Sequence, residues 1–162
     1  MISYKTTACR GFVLCVGSGL NGDVFTQPNQ GDGVAIQYAY AYKGHGTVTN
    51  GGMSDTLAGK ELLDLTKYMG REVRFTMLGD PTMWVAVNPV PDTVRFDAVL
   101  HKGAKTFAVQ GAEKRKAVVC LEGNITCGSA TVSALKYVSI KQGDLVTVAV
   151  PEGAVALVLT TR

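Results

Sequence analysis

Residues that do chemistry are scarce in this sequence. Its 162 residues include only two histidines, His45 and His101, and four cysteines, Cys9, Cys15, Cys120 and Cys127. His45 sits in the glycine turn Lys43-Gly44-His45-Gly46 and His101 beside Lys102, so both read as solvated turn residues. The cysteine spacings, x5 and x6, match neither a CxxC redox motif nor the close pairs of a structural zinc site. They are expected to be reduced thiols used as small hydrophobes. Cys120 and Cys127 should point to opposite faces if both their strands are regular. No GxSxG, HExxH, P-loop or GxGxxG context occurs, which removes the usual hydrolase and nucleotide signatures. Glu61 with Asp64, and Asp92 with Asp97, read as solvated loop carboxylates. Lys114-Arg115-Lys116 reads as a contact for an acidic partner or as a strand edge that discourages aggregation.

The elements that would position these residues are strands. A hydrophobic fraction of 46% and a charged fraction of 18% describe a globular chain, and exclude a disordered tail, a coiled coil or a collagen-like rod. A formal charge of +3 is too small to argue for nucleic acid. Val146, Val148 and Val150 alternate on one face, a turn follows at Pro151-Glu152-Gly153, and Val155, Leu157 and Leu159 alternate again. Residues 36–42, 47–49, 73–77, 84–87, 117–121 and 137–140 read as further short strands separated by glycine turns. Lys60 to Met69, followed by Gly70, allows one short helical turn. The class is all-β, a sandwich or barrel. The N-terminal apolar stretch lacks a charged run before it and does not read as a signal peptide. Leu145 to Leu159 is broken at Pro151 and cannot be one membrane-spanning helix. Folding in a reducing cytoplasm is expected.

An internal repeat is visible. Residues 62–87 lie beneath residues 135–160 at a gapless offset of 73, which puts Val73 on Val146, Phe75 on Val148 and Trp84 on Leu157. Lys43-Gly44-His45 matches Glu122-Gly123-Asn124 at an offset of 79, and Phe12 lies on Phe107 at 95. The reading is a first copy at 1–88, a second at 92–162, and a proline-containing junction at 88–92 that denies the chain a continuous strand.

The LEGN turn at Leu121, followed by Lys-Gln-Gly-Asp at 141–144 and Pro-Glu-Gly at 151–153, resembles the turn motifs of the cupin family. That resemblance implies a tandem jelly roll. Asp64 to Val73 is similar to a segment of jelly-roll carbohydrate-binding modules and implies the same architecture. A cupin enzyme holds its metal with histidines and a glutamate, and the matching positions here are Val109, Gly111, Lys116 and Ala156. In the first copy the glutamate position falls at Gln37 and the second-motif histidine near Met83. The resemblance therefore implies a fold without the family's metal, and no cofactor is expected. A metal-free sugar epimerase of this family would need a base and an acid, for which His101 and Tyr137 are the nominees. A barrel cavity for a sugar would be lined by Tyr38, Tyr40, Tyr42 and Trp84.

The glycine-rich segment Gly17 to Gly33 reads as a long loop that carries Leu20, Val24 and Phe25, apolar residues a solvated loop has little reason to keep. These three, with Lys114, Arg115 and Lys116, are the expected partner-binding residues. Small jelly rolls of this kind resemble the cement or decoration proteins of bacteriophage heads. The favoured expectation is a non-enzymatic structural protein that binds capsid subunits or copies of itself, and neither nucleic acid nor membrane. The alternative is a metal-independent cupin-type enzyme or binder acting on a sugar-like molecule.

Overall fold

The computed structural model describes residues 2–27, 35–91 and 93–162. Two compact units divide the chain, Met1–Arg95 and Phe96–Arg162. The first contains β1 (Ser3–Ala8), β2 (Phe12–Gly19), β3 (Val24–Gln27), β4 (Tyr38–Lys43), β5 (Gly46–Asn50), β6 (Met53–Leu57), β7 (Leu62–Asp64), β8 (Val73–Met77) and β9 (Thr82–Pro89). One of its sheets runs β1-β2-β9-β4-β7 and the other β3-β8-β5-β6. The second contains β10 (Phe96–Lys102), β11 (Lys105–Gln110), β12 (Lys116–Glu122), β13 (Asn124–Cys127), β14 (Ala130–Ser133), β15 (Tyr137–Ile140), β16 (Leu145–Val150) and β17 (Val155–Thr161). Its sheets run β10-β17-β12-β15 and β11-β16-β13-β14. The protein is all-β, and each unit is an antiparallel two-sheet jelly roll. Among the described residues the helical candidate contributes only a 3₁₀ turn, Thr66–Tyr68, and no helix is long and apolar enough to cross a membrane. The proline stretch begins inside a strand, because β9 continues through Asn88 and ends on Pro89 opposite Phe12.

Strand registers repeat from unit to unit. Ala41 opposes Trp84 as Cys120 opposes Ala156, and each pair is followed by a bulge, at Lys43 in one unit and Glu122 in the other. The glycine after each bulge, Gly44 or Gly123, has a φ of +73°, a left-handed turn that carries the chain from one sheet to the other. The match of these two turns at an offset of 79 is therefore a match of registers. The gapless offset of 73 is corrected beyond β8. Because cross-strand partners share a face, Trp84 corresponds to Ala156 and not to Leu157, and one residue of slip reverses inside and outside. Phe12 is likewise not the counterpart of Phe107. Phe25 opposes Phe75 as Phe107 opposes Val148, so Phe25 and Phe107 hold the same place.

Register also decides what fills each interior. In the first unit the inner row Gly17, Trp84 and Ala41 lies beside the row Cys15, Ala86 and Ala39. These small residues form the bed for the indole of Trp84, which is buried against Phe25 (ring centroids 5.8 Å apart), itself 6.0 Å from Phe75. Tilted pairs of this kind add about 0.5–1.5 kcal/mol each beyond burial. The counterpart row of the second unit is His101, Ala156 and Cys120. The large residue has moved from the central strand to the edge strand: Trp beside Gly has become Ala beside His. A Cβ on Gly17 would lie 2.1 Å from the Trp84 ring.

Gly17→Ala should therefore destabilise the first unit by about 1–3 kcal/mol through overpacking. In a Trp84→Ala background the same change should cost much less, so denaturant unfolding of the two single variants and the double should give a coupling well above zero. Additive effects would show that Gly17 makes no room for the indole.

Candidate functional site

The positions at which the cupin resemblance places metal ligands lie on the inner faces of the units, except Met83, which flanks Trp84 on β9 and leaves the opposite face. In the second unit Val109 is buried opposite Val146, Lys116 opens β12, and Ala156 stands between His101 and Cys120. In the first unit the same registers place Gln27 opposite Val73, Gln37 at the foot of β4, and Trp84. Both glutamines are buried and already bonded. Gln27 Oε1 accepts from the backbone N–H of Ile36 at 2.8 Å, and Gln37 Nε2 donates to Thr66 Oγ1 at 3.1 Å. Neither set offers the imidazoles and carboxylates of such a centre, and the residues present do not fit a cupin metal. Among the described residues no three of His, Cys, Asp and Glu gather in a group suited to a metal ion.

The sugar-cavity residues are not brought together. Tyr38 and Tyr40 oppose Val87 and Val85, on the opposite face of the sheet from Trp84, while Tyr42 lies at the bulge. The space around Trp84, lined also by Phe25, Phe75, Ile36 and Met77, amounts to 10 Å³. That is about the minimum for one water, and the cavity's lining is wholly apolar, so a water there would lack the usual 2–4 polar partners. Trp84 Nε1 makes no hydrogen bond and is buried. No sugar fits this interior.

The nominated acid and base are also separated. His101 lies on β10 and Tyr137 on β15, the two outer strands of one sheet. His101 aligns with Ala156 and Cys120, Tyr137 with Val119, so their side chains leave opposite faces. The His101 ring instead stacks on Phe107, with centroids 3.8 Å apart. Burial, with a smaller contribution from nearby Lys105, holds its pKa below the ordinary value.

The four cysteines are free thiols. Burial raises all their pKa values, that of Cys120 to about 11, so they are protonated and weakly nucleophilic at neutral pH. The expectation that Cys120 and Cys127 face opposite ways is overturned, since both join the same core cluster. The chain changes sheets at Gly123, and the inner faces of two opposed sheets look toward each other.

One polar cluster lies at the margin of the first interior, into which the Tyr68 ring is packed. Tyr68 donates to Asp55 at 2.6 Å, and Lys67 pairs with the same carboxylate at 2.8 Å. Burial and that carboxylate push the Tyr68 phenol up to about 12, which suits a structural tie between β6 and the 3₁₀ turn. Glu61 and Asp64 serve no joint role, because Asp64 accepts from the N–H and hydroxyl of Thr66. Asp97 pairs with Arg162, and Asp92 lies outside the described residues.

The expected partner-binding loop is divided by the fold. Gly17–Gly19 finish β2 and Val24–Gln27 form β3, while 28–33 lie outside the described residues. Phe25 points inward, onto Phe75 and Trp84 of its own barrel, because strand alternation sends Val24 and Phe25 to opposite faces. Leu20 and Val24 remain outside, 53% and 44% exposed. Leu78, which sequence reasoning missed, joins them at 41% exposure. The backbone of Met77 bonds Gly22 and Asp23 and so holds Leu78 beside the 20–23 turn. A leucine directly after an alternating strand, at the head of Leu-Gly-Asp-Pro, was the available signal. Lys114 and Arg115 are exposed before β12, and Lys116 is half-buried at its start.

No protein-family model matches the chain, and no curated protein sequence matches it. Solved structures do. A conserved protein of unknown function from Pseudomonas aeruginosa PAO1 aligns with a TM-score of 0.69 at 14% identity, over 99% of this chain and 88% of that one. A cupin 2 conserved barrel domain protein from Leptotrichia buccalis aligns at 0.56 and 9% identity, over 100% and 89%. The bacterial pirin YhhW from Escherichia coli, solved in complex with nickel(II), aligns at 0.62 and 8% identity, over 99% and 98%. At these identities the likeness shows the fold alone, and that fold is a cupin-like jelly roll.

Two outcomes are expected. Elemental analysis of purified protein should find no stoichiometric Zn, Fe, Mn or Ni, and a full equivalent lost on mutation of His45 or His101 would contradict the assignment. The second concerns acid. The fold lowers the His101 pKa, so the unfolded chain binds that proton more readily. Stability is then full above the unfolded value of about 6.5 and falls as pH drops through it, until the folded pKa is passed. His101→Phe should lose less melting temperature than wild type over that window. Equal losses would remove His101 as the cause.

Proposed function

We propose that the protein is a non-enzymatic structural protein that binds other proteins, in its most specific form a cement or decoration protein on a virion shell. The observation that carries this reading is the position of the chain's apolar side chains. The first interior is filled by Trp84, Phe25 and Phe75, while Leu20, Val24 and Leu78 are each exposed, on the edge strand β3 or in the turns that backbone hydrogen bonds hold beside it. Exposed apolar side chains at a sheet edge favour a protein partner, because covering each one stabilises by about 1.5–3 kcal/mol at full burial. Lys114, Arg115 and Lys116 supply a second, cationic contact whose strength would fall with salt.

Leu20→Ser with Val24→Ser should weaken self-association or attachment to a particle and leave the melting temperature within about 1–2 °C of wild type, as expected of surface changes. Phe25→Ser should do the reverse, lowering the melting temperature and leaving association intact. Light scattering with a thermal melt separates the two. A wild-type protein that stays monomeric, binds no particle and turns over a sugar nucleotide would end this reading.

A further inference from the structure

The sequence contains two Asn-Gly steps, Asn21-Gly22 and Asn50-Gly51, and the fold treats them differently. Attack of the glycine nitrogen on the asparagine side-chain carbonyl carbon closes a succinimide ring and expels ammonia. Water then opens the ring at either carbonyl, leaving aspartate or isoaspartate. The step needs a glycine N–H that is not held elsewhere and a backbone free to bend. Gly22 fails the first condition, because its N–H donates to the Met77 carbonyl at 2.8 Å. Gly51 meets both. It lies at the exposed tip of the β5–β6 hairpin beside Gly52, it has a φ of +50°, and nothing lies within 4 Å of where a Cβ would stand on either glycine. Among the described residues its N–H has no backbone acceptor outside the strand ladder.

From this difference we infer that Asn50 is a site of spontaneous deamidation and isoaspartate formation, and that Asn21 is protected. The change is not silent locally. Asn50 Nδ2 donates to the backbone carbonyl of Glu72, tying the β5–β6 hairpin to the segment that leads into β8. A carboxylate at that position has no proton to donate and turns a negative oxygen toward a carbonyl oxygen. Deamidation therefore converts a tie into a repulsion and loosens one end of the β5–β8 pair at the centre of the sheet β3-β8-β5-β6. This inference is independent of the proposed function.

The test uses the intact wild-type chain, aged in mildly alkaline buffer and then digested for peptide mass analysis, with an unstructured peptide spanning 19–24 as reference. Conversion at Asn50 should exceed that at Asn21 by about twofold or more, the low end of what one net backbone hydrogen bond on Gly22 is worth, because the Asn50 amide must itself leave the Glu72 carbonyl. The reference peptide should lose the protection that Asn21 has in the folded protein. Asn50→Asp, made directly, should melt below wild type. Equal conversion at the two sites, faster conversion at Asn21, or an Asn50 that survives while the reference peptide converts would each overturn the inference.

Discussion

The interior of a two-sheet barrel is a fixed volume, set by sheets about 10 Å apart, and each inward side chain takes its share at its neighbours' expense. This constraint organises the first unit around Trp84. An indole in the central strand β9 requires Gly17 on one side and Ala41 on the other, with Cys15, Ala39 and Ala86 one register away. The second unit meets the same constraint by another distribution. Its central strand carries Ala156, and bulk returns through His101 on the edge strand, stacked on Phe107 where the first unit sets Phe25 at a tilt against Trp84. The backbone registers agree while the large residue changes strands. Few residue identities therefore survive between the units, although the strand pairings repeat.

That exchange explains how much of the molecule was legible in its sequence. Strands with clean alternation, such as Leu145–Val150 and Val155–Thr161, declared themselves, and so did the Gly44 and Gly123 turns, whose left-handed φ demands glycine. Strands beginning with polar or small residues, such as Ser3–Ala8 and Ala130–Ser133, carry no such period and were passed over. The alignment failed where it relied on residue type. Placing Phe12 on Phe107 matches two phenylalanines from different sheets, and it extends the loop over Gly17–Gly19 and Val24–Gln27, which the fold uses as strand. Matching Trp84 to Leu157 put an inward residue on an outward one. Size in a filled interior is conserved over a row of neighbours, and no comparison of single positions can see it.

The site is less legible for a related reason. The missing cupin ligands could be read directly, because Val109, Gly111, Lys116 and Ala156 do not make a metal centre. Presence could not. Nothing in the spacing of Gln27 and Gln37 shows that both amides are buried and bonded, one holding Ile36 and the other Thr66. Likewise Tyr38, Tyr40 and Trp84 look like the lining of one cavity until the sheet faces are assigned, and a sheet face is a property of pairing.

The first interior that results is dry, closely filled and short of titratable groups, and such a site has little with which to move a proton or orient a polar substrate. Burial works in the same direction at the thiols: by raising their pKa values it removes the nucleophiles a reduced cysteine might otherwise supply. The first unit leaves Leu20, Val24 and Leu78 exposed around the corner where the 20–23 turn meets the end of β8, and Val90 exposed after β9. Three backbone hydrogen bonds hold that corner together, from Gly22 to Met77, from Met77 to Asp23 and from Asp23 to Leu20. Rigid support matters there. Under the proposed function, exposed apolar side chains on a hydrogen-bonded backbone would give a partner buried area without the entropic cost of ordering a loop, a cost that the 17–33 segment as read from sequence would have to meet.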